Sequence, residues 1–382
     1  MINKLFSELD RTEADYISFW EDICNIESPT SYKEGVDSVG SYFAEWAKQR
    51  GFKVEIHKEN ISGDAICITM NENAKGRPIA LSAHMDTVHP VGSFGTPAVK
   101  ISDGTIYGPG VCDCKGGAAA AAYAMDALHT CGYTDRPVML ILQADEENSS
   151  KGSDKRTIRF MCEKAKDAEA FLNLEGYSEG KAVITRKGIL NYIFKIYGIE
   201  AHGSACATEG ASAICEAAHK IIEMEKLKDK DGLTCTCGVI KGGKAPNTVA
   251  GYCEFMANIR FANASELEYA RQYARRIADS VSVEGCHCEL VEYSHRAAME
   301  YTERNEELLN KLNNAFTRSG LPTLTAKGST GGSDAADVTM CGIPCLDSLG
   351  TRGHRIHSPE ESAPIYSLKE SAKRLVAVAV YL

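Results

Sequence analysis

The pattern of apolar and polar positions divides most of the chain into amphipathic helices and short apolar strands. Apolar residues at helical spacing predict helices over 12–25 and 37–50, and a capping box at Thr12 predicts the start of the first. The alanine-rich stretch 117–130 predicts a further helix. Apolar runs predict buried strands at 54–56, 65–70, 79–83, 138–142, 170–174 and 344–349. Strands that alternate with helices predict an α/β protein with a mixed, mostly parallel sheet flanked by helices.

The middle of the chain shows a different order of elements. Its pattern predicts strand, helix, strand, strand, helix and strand in succession, over 190–199, 211–227, 233–240, 251–262, 265–283 and 286–293. This β-α-β-β-α-β order is that of a ferredoxin-like α+β unit. A capping box at Ser265 predicts the start of the second helix. We therefore expect one larger domain formed by 1–187 and 297–382, interrupted by an inserted domain at 188–296.

The composition narrows the class of protein. A chain of 382 residues exceeds one ordinary core, and 44% hydrophobic with 25% charged residues is typical of a globular protein, so we expect two domains. The net charge of −10 argues against non-specific nucleic-acid binding. No apolar run approaches the roughly 18 residues of a membrane span. Fifteen cysteines without an apolar signal segment predict reduced thiols and a cytoplasmic location.

Acidic and imidazole side chains follow three of the predicted strands. They are His84 and Asp86 after the first, Glu146 and Glu147 after the second, and Glu175 after the third. Because sites in open α/β sheets form outside the carboxyl ends of the strands, we expect these residues to meet. Imidazoles and carboxylates bind a pair of divalent cations, and one carboxylate free of metal would serve as a base. Taken singly, the His84 motif has a satisfied histidine at a strand end as its alternative, and the motif of Glu146 and Glu147 has a solvated loop.

Two residues elsewhere in the chain fit the same site. Asp113 lies in a glycine-rich turn, where its carboxylate could bridge two cations; a simple turn aspartate is the alternative. His357 would supply a second imidazole near the C-terminus. Cys112 and Cys114 flank Asp113, and we expect them to pack rather than to bind metal.

Polar residues of the inserted domain, together with one later turn, are candidates for substrate contacts. Arg260 could clamp a carboxylate, and His202 could polarise a carbonyl oxygen. Asn247 lies between them in the sequence. The turn at Gly331 and Gly332 could offer free N–H groups to an anion. A surface polar residue without a role is the alternative for each side chain.

The order of these motifs resembles the M20 metallopeptidases over nearly the full chain. The matching elements are His-Met-Asp-Thr-Val, Gly-x-Gly-x-x-Asp-x-Lys-Gly-Gly, Asp-Glu-Glu, Glu175, the Ala-His-Gly of the insert and the C-terminal His-Ser. The run Gly-Gly-Ser-Asp-Ala-Ala makes the glutamate carboxypeptidase (carboxypeptidase G2-like) and peptidase T branch the most similar. Cys114 departs from the pattern, since the family often has methionine there. The resemblance implies a zinc-peptidase-like fold with an inserted dimerisation (lid) domain.

The resemblance also implies a ligand set for two Zn²⁺ ions per subunit, for which Co²⁺ or Mn²⁺ could substitute. Asp113 would bridge the ions. His84 and Glu175 would hold one of them, and Glu147 and His357 would hold the other.

The remaining roles implied by the resemblance concern catalysis and substrate. Asp86 would orient His84, and Glu146 would be the general base for a metal-bridged hydroxide that acts as nucleophile. In a homodimer formed through the inserted domain, His202 would reach the active site of the neighbouring subunit. Asn247 and Arg260 would grip a substrate carboxylate.

These roles predict hydrolysis of an amide or peptide bond next to a free carboxylate, as in a carboxypeptidase or small-peptide peptidase. The substrate would be a small peptide or an N-acyl amino acid. An N-acyl (acetyl or succinyl) amino-acid deacylase would use the same site, and cleavage of di- or tripeptides is a further alternative. A metal-dependent scaffold protein is a rival from another class, but an intact Glu146 argues against it because a structural site needs no free base.

Overall fold

The computed structural model describes residues 1–229 and 232–382 as two compact units. Unit 1 comprises Met1–Ile184, Tyr301–Gly328 and Ser333–Leu382. Unit 2 comprises Thr185–Glu300 and Ser329–Gly332. Each unit has its own hydrophobic core.

The α-helices begin and end as follows: α1 Ile2–Asn25, α2 Lys33–Gln49, α3 Lys115–Thr130, α4 Arg156–Ala165, α5 Ala213–Met224, α6 Ala264–Asp279, α7 Glu303–Arg318, α8 Ala335–Met340 and α9 Tyr366–Tyr381. The strands are β1 Lys53–His57, β2 Ala65–Met70, β3 Ile79–His84, β4 Lys100–Ser102, β5 Thr105–Tyr107, β6 Val138–Gln143, β7 Ala170–Asn173, β8 Lys181–Arg186, β9 Gly188–Tyr197, β10 Ala201–His202, β11 Thr234–Gly242, β12 Thr248–Val249, β13 Tyr252–Phe261, β14 His287–Arg296, β15 Thr325–Ser329, β16 Cys345–Leu346 and β17 Ser362–Pro364.

The main sheet of unit 1 has the strand order β1-β2-β6-β3-β7-β16. Strands β6, β3, β7 and β16 are parallel to one another, whereas β2 pairs antiparallel with both β1 and β6. Helices α1, α3 and α9 pack together, and α3 contacts β3 and β6. The prediction of a mixed, mostly parallel sheet flanked by helices is confirmed. The central strands are fully buried, which explains their unbroken apolar runs.

The start of α1 lies ten residues before the position that the sequence motif at Thr12 predicted. The capping box predicted at Thr12 is wrong, because Thr12 is buried inside the helix and its hydroxyl donates to the Glu8 carbonyl oxygen at 2.8 Å. The helix begins at Ile2, since the fully buried Leu5 and Leu9 extend its apolar stripe toward the N-terminus.

The capping box predicted at Ser265 is also wrong. Asn263 is the N-cap of α6, and its side-chain oxygen accepts the Glu266 N–H at 2.9 Å. The Glu266 carboxylate in turn accepts the Ala262 N–H at 2.7 Å. This pair of bonds resembles a capping box two residues earlier than predicted, except that Glu266 accepts the N–H of Ala262 and not that of the N-cap Asn263.

Unit 2 is built on an antiparallel sheet of order β11-β13-β9-β14. Alternate residues of β9 and β13 are buried, and α5 and α6 pack on these strands. The pattern places one face of the sheet against the helices, as period-2 alternation requires. Among the helices of residues 1–229 and 232–382, none is long and apolar enough to cross a membrane.

Candidate metal centre

Three adjacent parallel strands bring candidate residues to one edge of the unit 1 sheet. Strand β3 lies between β6 and β7, and His84, the last residue of β3, is level with Gln143 on β6. The chain then delivers Glu146 and Glu147 in a short 3-10 turn after β6. Glu175 follows β7 by two residues. Their positions at the carboxyl ends of parallel strands follow from the order of the sheet.

The five residues expected to bind metal come together as one cluster. His84 Nε2 lies 3.1 Å from Asp113 Oδ1 and 3.7 Å from Glu175 Oε1. His357 Nε2 lies 3.0 Å from the other oxygen, Asp113 Oδ2, and 3.3 Å from Glu147 Oε2. Each oxygen of Asp113 thus faces a different imidazole. We call these five residues the metal-ligand cluster.

Asp86 contacts His84 mainly through its backbone. His84 Nδ1 is 2.9 Å from the Asp86 carbonyl oxygen and 3.4 Å from its carboxylate. The carboxylate oxygens instead accept the N–H groups of Glu146 and Glu147, both at 3.1 Å, and the Thr30 hydroxyl at 2.7 Å. Asp86 therefore fixes the backbone of both glutamates as well as the imidazole of His84.

Glu361 is a part of the site that sequence reasoning missed. Its fully buried carboxylate accepts the backbone N–H groups of Cys112 at 2.9 Å and of Asp113 at 3.0 Å, and it lies 2.8 Å from His89 Nε2. These bonds hold the turn that presents Asp113. The only signal available was its place in the same short motif as His357.

Lys115 is a second residue that was missed. It is fully buried, and its ammonium donates to the Ile26 carbonyl oxygen at 2.9 Å and to the Ser28 hydroxyl at 3.2 Å. Ser28 in turn donates to the Met85 carbonyl oxygen at 2.7 Å, next to His84. Lys115 thus ties the start of α3 to the strand end that carries His84.

The glycines near the site permit close backbone approach. A Cβ atom at Gly117 would lie 2.1 Å from the Leu174 carbonyl oxygen, and one at Gly350 would meet the same oxygen at 2.1 Å. Both positions exclude a side chain because backbone atoms cannot withdraw as a flexible side chain can. The two glycines therefore clamp the residue that precedes Glu175.

Burial and crowding shift the titration of the cluster. Burial raises the pKa of Glu147 to about 7 and that of Glu175 well above its ordinary value. The hydrogen bonds to Asp113 and Glu147 raise the pKa of His357 to about 10. Although burial alone would raise it, the hydrogen bonds from His357 and His84 hold the pKa of Asp113 far below its usual range. The site as a whole thus has more acidic groups than its imidazoles can neutralise.

Two observations fit divalent cations in this cluster. The Oε1 atom of Glu147 is buried and has no hydrogen-bond partner among residues 1–229 and 232–382. The ligand atoms of His84, Asp113 and Glu147 lie within 4.8 Å of one another, and the same holds for His84, Cys114 and Glu175. Nitrogen and carboxylate donors of this kind suit Zn²⁺. Cys114 was expected only to pack; its thiol donates to the Leu174 carbonyl oxygen at 3.0 Å but also lies beside these donors.

The remaining candidates lie in unit 2, in two places. His202 is on β10, which pairs with β12, and the Gly203 N–H donates to the Asn247 carbonyl oxygen at 2.7 Å. The His202 side chain is exposed, and its Nδ1 lies 2.8 Å from the Ser204 hydroxyl. His202 and Asn247 are therefore neighbours through the backbone.

Arg260 lies beside the turn that holds Gly331 and Gly332. Its Nη1 donates to the Thr330 carbonyl oxygen at 3.4 Å, and its Nε donates to Asn258 Oδ1 at 3.0 Å. Burial, with the charge of Arg296 nearby, lowers the pKa of Arg260. Arg296 packs against Gly332 and was not predicted from the sequence.

Three comparisons place these observations among known proteins. The sequence model of Peptidase family M20/M25/M40 matches residues 80–380. Carboxypeptidase G2 of a Pseudomonas strain is 26% identical over 99% of this chain and 91% of its own length. Acetylornithine deacetylase of Myxococcus xanthus is 32% identical over 48% of this chain and 49% of its own length. The crystal structure of a tripeptidase from Staphylococcus aureus covers 96% of this chain and 97% of its own, at 22% identity and a TM-score of 0.79.

Proposed function

Because the chain belongs to Peptidase family M20/M25/M40, we propose that it hydrolyses an amide or peptide bond next to a free carboxylate with the aid of two divalent cations. The observation that carries the proposal is the convergence of the metal-ligand cluster around Asp113. Asp113 would bridge the two ions. His84 and Glu175 would hold one, and Glu147 and His357 would hold the other.

Two bound cations would lower the pKa of a water molecule and polarise the scissile carbonyl group. Glu146 takes a proton from the attacking water on its carboxylate as the new carbon–oxygen bond forms. It then delivers that proton to the amine nitrogen as the carbon–nitrogen bond breaks. The buried position of Glu146 and the bond from its N–H to Asp86 support this role, because they limit the freedom of the segment that carries the base.

The substrate carboxylate would bind to Arg260, with Asn247, Gly331 and Gly332 as further contacts. Arg260 donates to neutral oxygens of Asn258 and Thr330, so these two bonds leave its positive charge available for an anion. His202 would stabilise the developing negative charge on the carbonyl oxygen of a substrate bound to the partner subunit of a homodimer. The family resemblance of the Ala-His-Gly motif supports this part of the proposal.

The relatives suggest which amides to test. The similarity to carboxypeptidase G2 over nearly the whole chain favours carboxypeptidase activity. The similarity to acetylornithine deacetylase over half the chain supports an N-acyl amino-acid deacylase as the second candidate. Hydrolysis of dipeptides, tripeptides, N-acetyl amino acids and N-succinyl amino acids, with and without a chelator, separates the two. Elemental analysis of the purified protein identifies the metal.

A substitution of the base tests the mechanism. Glu146→Gln keeps the shape of the side chain but cannot accept the proton, so turnover should fall by at least about 10²–10⁴-fold. Its metal content should stay at the wild-type level, because Glu146 is not a proposed ligand. Glu163→Gln, an exposed change on α4, is the matched control and should keep full activity. Near-normal turnover of Glu146→Gln would show that another group is the base.

A further inference from the structure

A cavity in unit 1 lies beside α9 and has a volume of about 240 Å³. Its lining residues are Tyr177, Leu321, Pro322, Tyr366, Lys369, Glu370, Lys373 and Arg374. The last five are spaced at i, i+3, i+4, i+7 and i+8, so they share one face of the helix. None of them belongs to the metal-ligand cluster. The cavity is thus a separate feature of the molecule.

Arg374 is a buried cation without a carboxylate of its own. It is 5% exposed, and its Nε has no hydrogen-bond partner in the described part of the chain. Its Nη1 reaches Glu370 only at 3.4 Å, while both oxygens of Glu370 are held by Arg352 at 2.6 and 2.7 Å. Burial lowers the pKa of Arg374, and the charge of Arg352 adds to this effect. A buried charge is costly unless it is paired, so an anion beside Arg374 would be stabilised.

The walls of the cavity favour a flat ligand. The guanidinium carbon of Arg374 lies 3.9 Å from the centre of the Tyr177 ring, and the Tyr366 ring also lines the cavity. Leu321 and Pro322 add apolar surface. Aromatic faces and guanidinium planes both stack on planar groups. The volume lies below the range of drug-sized pockets, so the ligand must be small.

At the rim, Lys369 and Lys373 are already paired with acids of α1. Lys369 lies 3.0 Å from Asp10 and 2.6 Å from Glu13, and Lys373 lies 3.5 Å from Asp10. These lysines are therefore neutralised, and the unmatched charge belongs to Arg374 at the base. The cavity thus favours a ligand whose negatively charged group lies against Arg374 rather than against the two lysines.

We propose that this cavity binds a small carboxylate with a flat apolar body, such as an aromatic acid, its carboxylate paired with Arg374. Arg374 Nη2 also donates to the Gly350 carbonyl oxygen at 3.2 Å, and the Gly350 N–H donates to the Glu175 carbonyl oxygen at 3.0 Å. A ligand on Arg374 is therefore connected to the segment that carries Glu175 by two hydrogen bonds. The cavity is suited to an effector rather than to the substrate.

Calorimetric titration of the full-length, metal-loaded protein with benzoate and with its uncharged isostere benzamide tests the proposal. Benzoate should bind with a dissociation constant on the order of 1 mM, as expected for so few atoms. Benzamide should bind at least about tenfold more weakly, since it lacks the charge that pairs with Arg374. Equal binding of the two probes, or no benzoate binding below about 10 mM, would overturn the proposal.

Variants locate the binding site. Leu321→Trp fills the cavity without removing a charge, and Arg374→Met removes the cation; each should weaken benzoate binding at least about tenfold. Arg159→Met, an exposed arginine on α4, is the matched control and should bind benzoate like the wild type. Hydrolysis by Leu321→Trp at the wild-type rate shows that this variant is folded. The Leu321→Trp result therefore decides the question even if Arg374→Met does not fold. Undiminished benzoate binding by Leu321→Trp would place the probe elsewhere, for example at the metals, and would refute the site.

Discussion

Asp113 lies between two imidazoles, and each of its carboxylate oxygens faces a different one. The imidazoles are placed as hydrogen-bond partners of this carboxylate, so a proton occupies the position where a cation would bind. This explains why His357 becomes more basic even though it is partly buried. The same contacts that stabilise the proton must be exchanged for metal bonds when an ion enters.

Metal affinity should therefore depend steeply on pH. A ligand must be deprotonated to bind a cation, and the pKa is raised to about 10 for His357 and to about 7 for Glu147. Below these values a proton competes with the metal. Affinity should rise about tenfold per pH unit between pH 7 and 9 from His357 alone, and more steeply below pH 7, where Glu147 also carries a proton. Competition titrations with a chromophoric chelator at each pH measure this, and a flat profile would contradict it.

Glu361 should influence metal binding without touching the metal. Glu361→Gln replaces one accepting oxygen by an amide donor that faces the N–H groups of Cys112 and Asp113 or the ring of His89. The turn that presents Asp113 should loosen, and metal affinity should fall by about 10- to 100-fold, as is usual for residues that support ligands. Glu360→Gln, the exposed neighbour, is the control and should leave the affinity unchanged. Equal affinities of Glu361→Gln and the wild type would remove Glu361 from the site.

The sequence predicted which residues would cluster at this site better than it predicted the residues that support them. His84 and Glu175 follow apolar runs, so a polar group at the end of a buried strand was conspicuous. Glu361 and Lys115 gave no such signal, because a buried charge that bonds to backbone groups leaves no periodic trace in the sequence. Asp86 was expected to orient His84, and its atom nearest to the imidazole is the backbone oxygen rather than the carboxylate, which the residue pattern does not reveal.

At the scale of elements, strands could be predicted from the burial of one face, whereas the ends of helices could not be predicted. Alternate apolar positions located β13 almost to the residue. Helix starts failed at Thr12 and Ser265 because short polar motifs are common and the apolar stripe decides where a helix begins. The run at 344–349 forms a strand only over Cys345–Leu346, since Ser348 adopts a left-handed φ of 62° that ends it.

A buried lysine within α5 bonds to the C-terminal end of α6, and these bonds should contribute much of the stability of unit 2. Lys220 Nζ is 2.9 Å from Glu216 and donates to the carbonyl oxygens of Ile277 at 2.7 Å and Ser280 at 2.5 Å. Lys220→Met would leave the Glu216 charge buried and unpaired, at a cost of roughly 3–5 kcal/mol in the free energy of unfolding. Urea denaturation measures it. The control Lys226→Met removes an exposed lysine next to α5 and should lower the free energy of unfolding by less than about 0.5 kcal/mol. Similar decreases in both variants would exclude the buried pair as the cause.

At the scale of the whole molecule, the residues of the proposed reaction are divided between two units. The metal-ligand cluster and Glu146 belong to unit 1, whereas His202, Asn247 and Arg260 belong to unit 2. Residues of unit 2 could act on the metal-ligand cluster of their own chain or on that of a partner subunit in a dimer. Both sets of residues were predicted from the sequence, but the sequence of one chain carries no information on whether His202 would act in its own subunit or in a neighbouring one.

Mixing two inactive variants decides between these possibilities. If His202 acts on the neighbouring subunit, a dimer of one His202→Ala and one Glu146→Gln subunit contains one complete site, built from the intact Glu146 of the first and the intact His202 of the second. Random pairing makes half the dimers mixed, so co-expression should restore about one quarter of wild-type activity per site, while each variant alone stays near background. The matched control pairs His202→Ala with the double variant, which offers no His202 to either site and should remain inactive. Differently tagged subunits show whether mixed dimers form. If they form but are no more active than this control, His202 acts within its own chain or not at all. A chain that is active as a monomer would exclude the shared site directly.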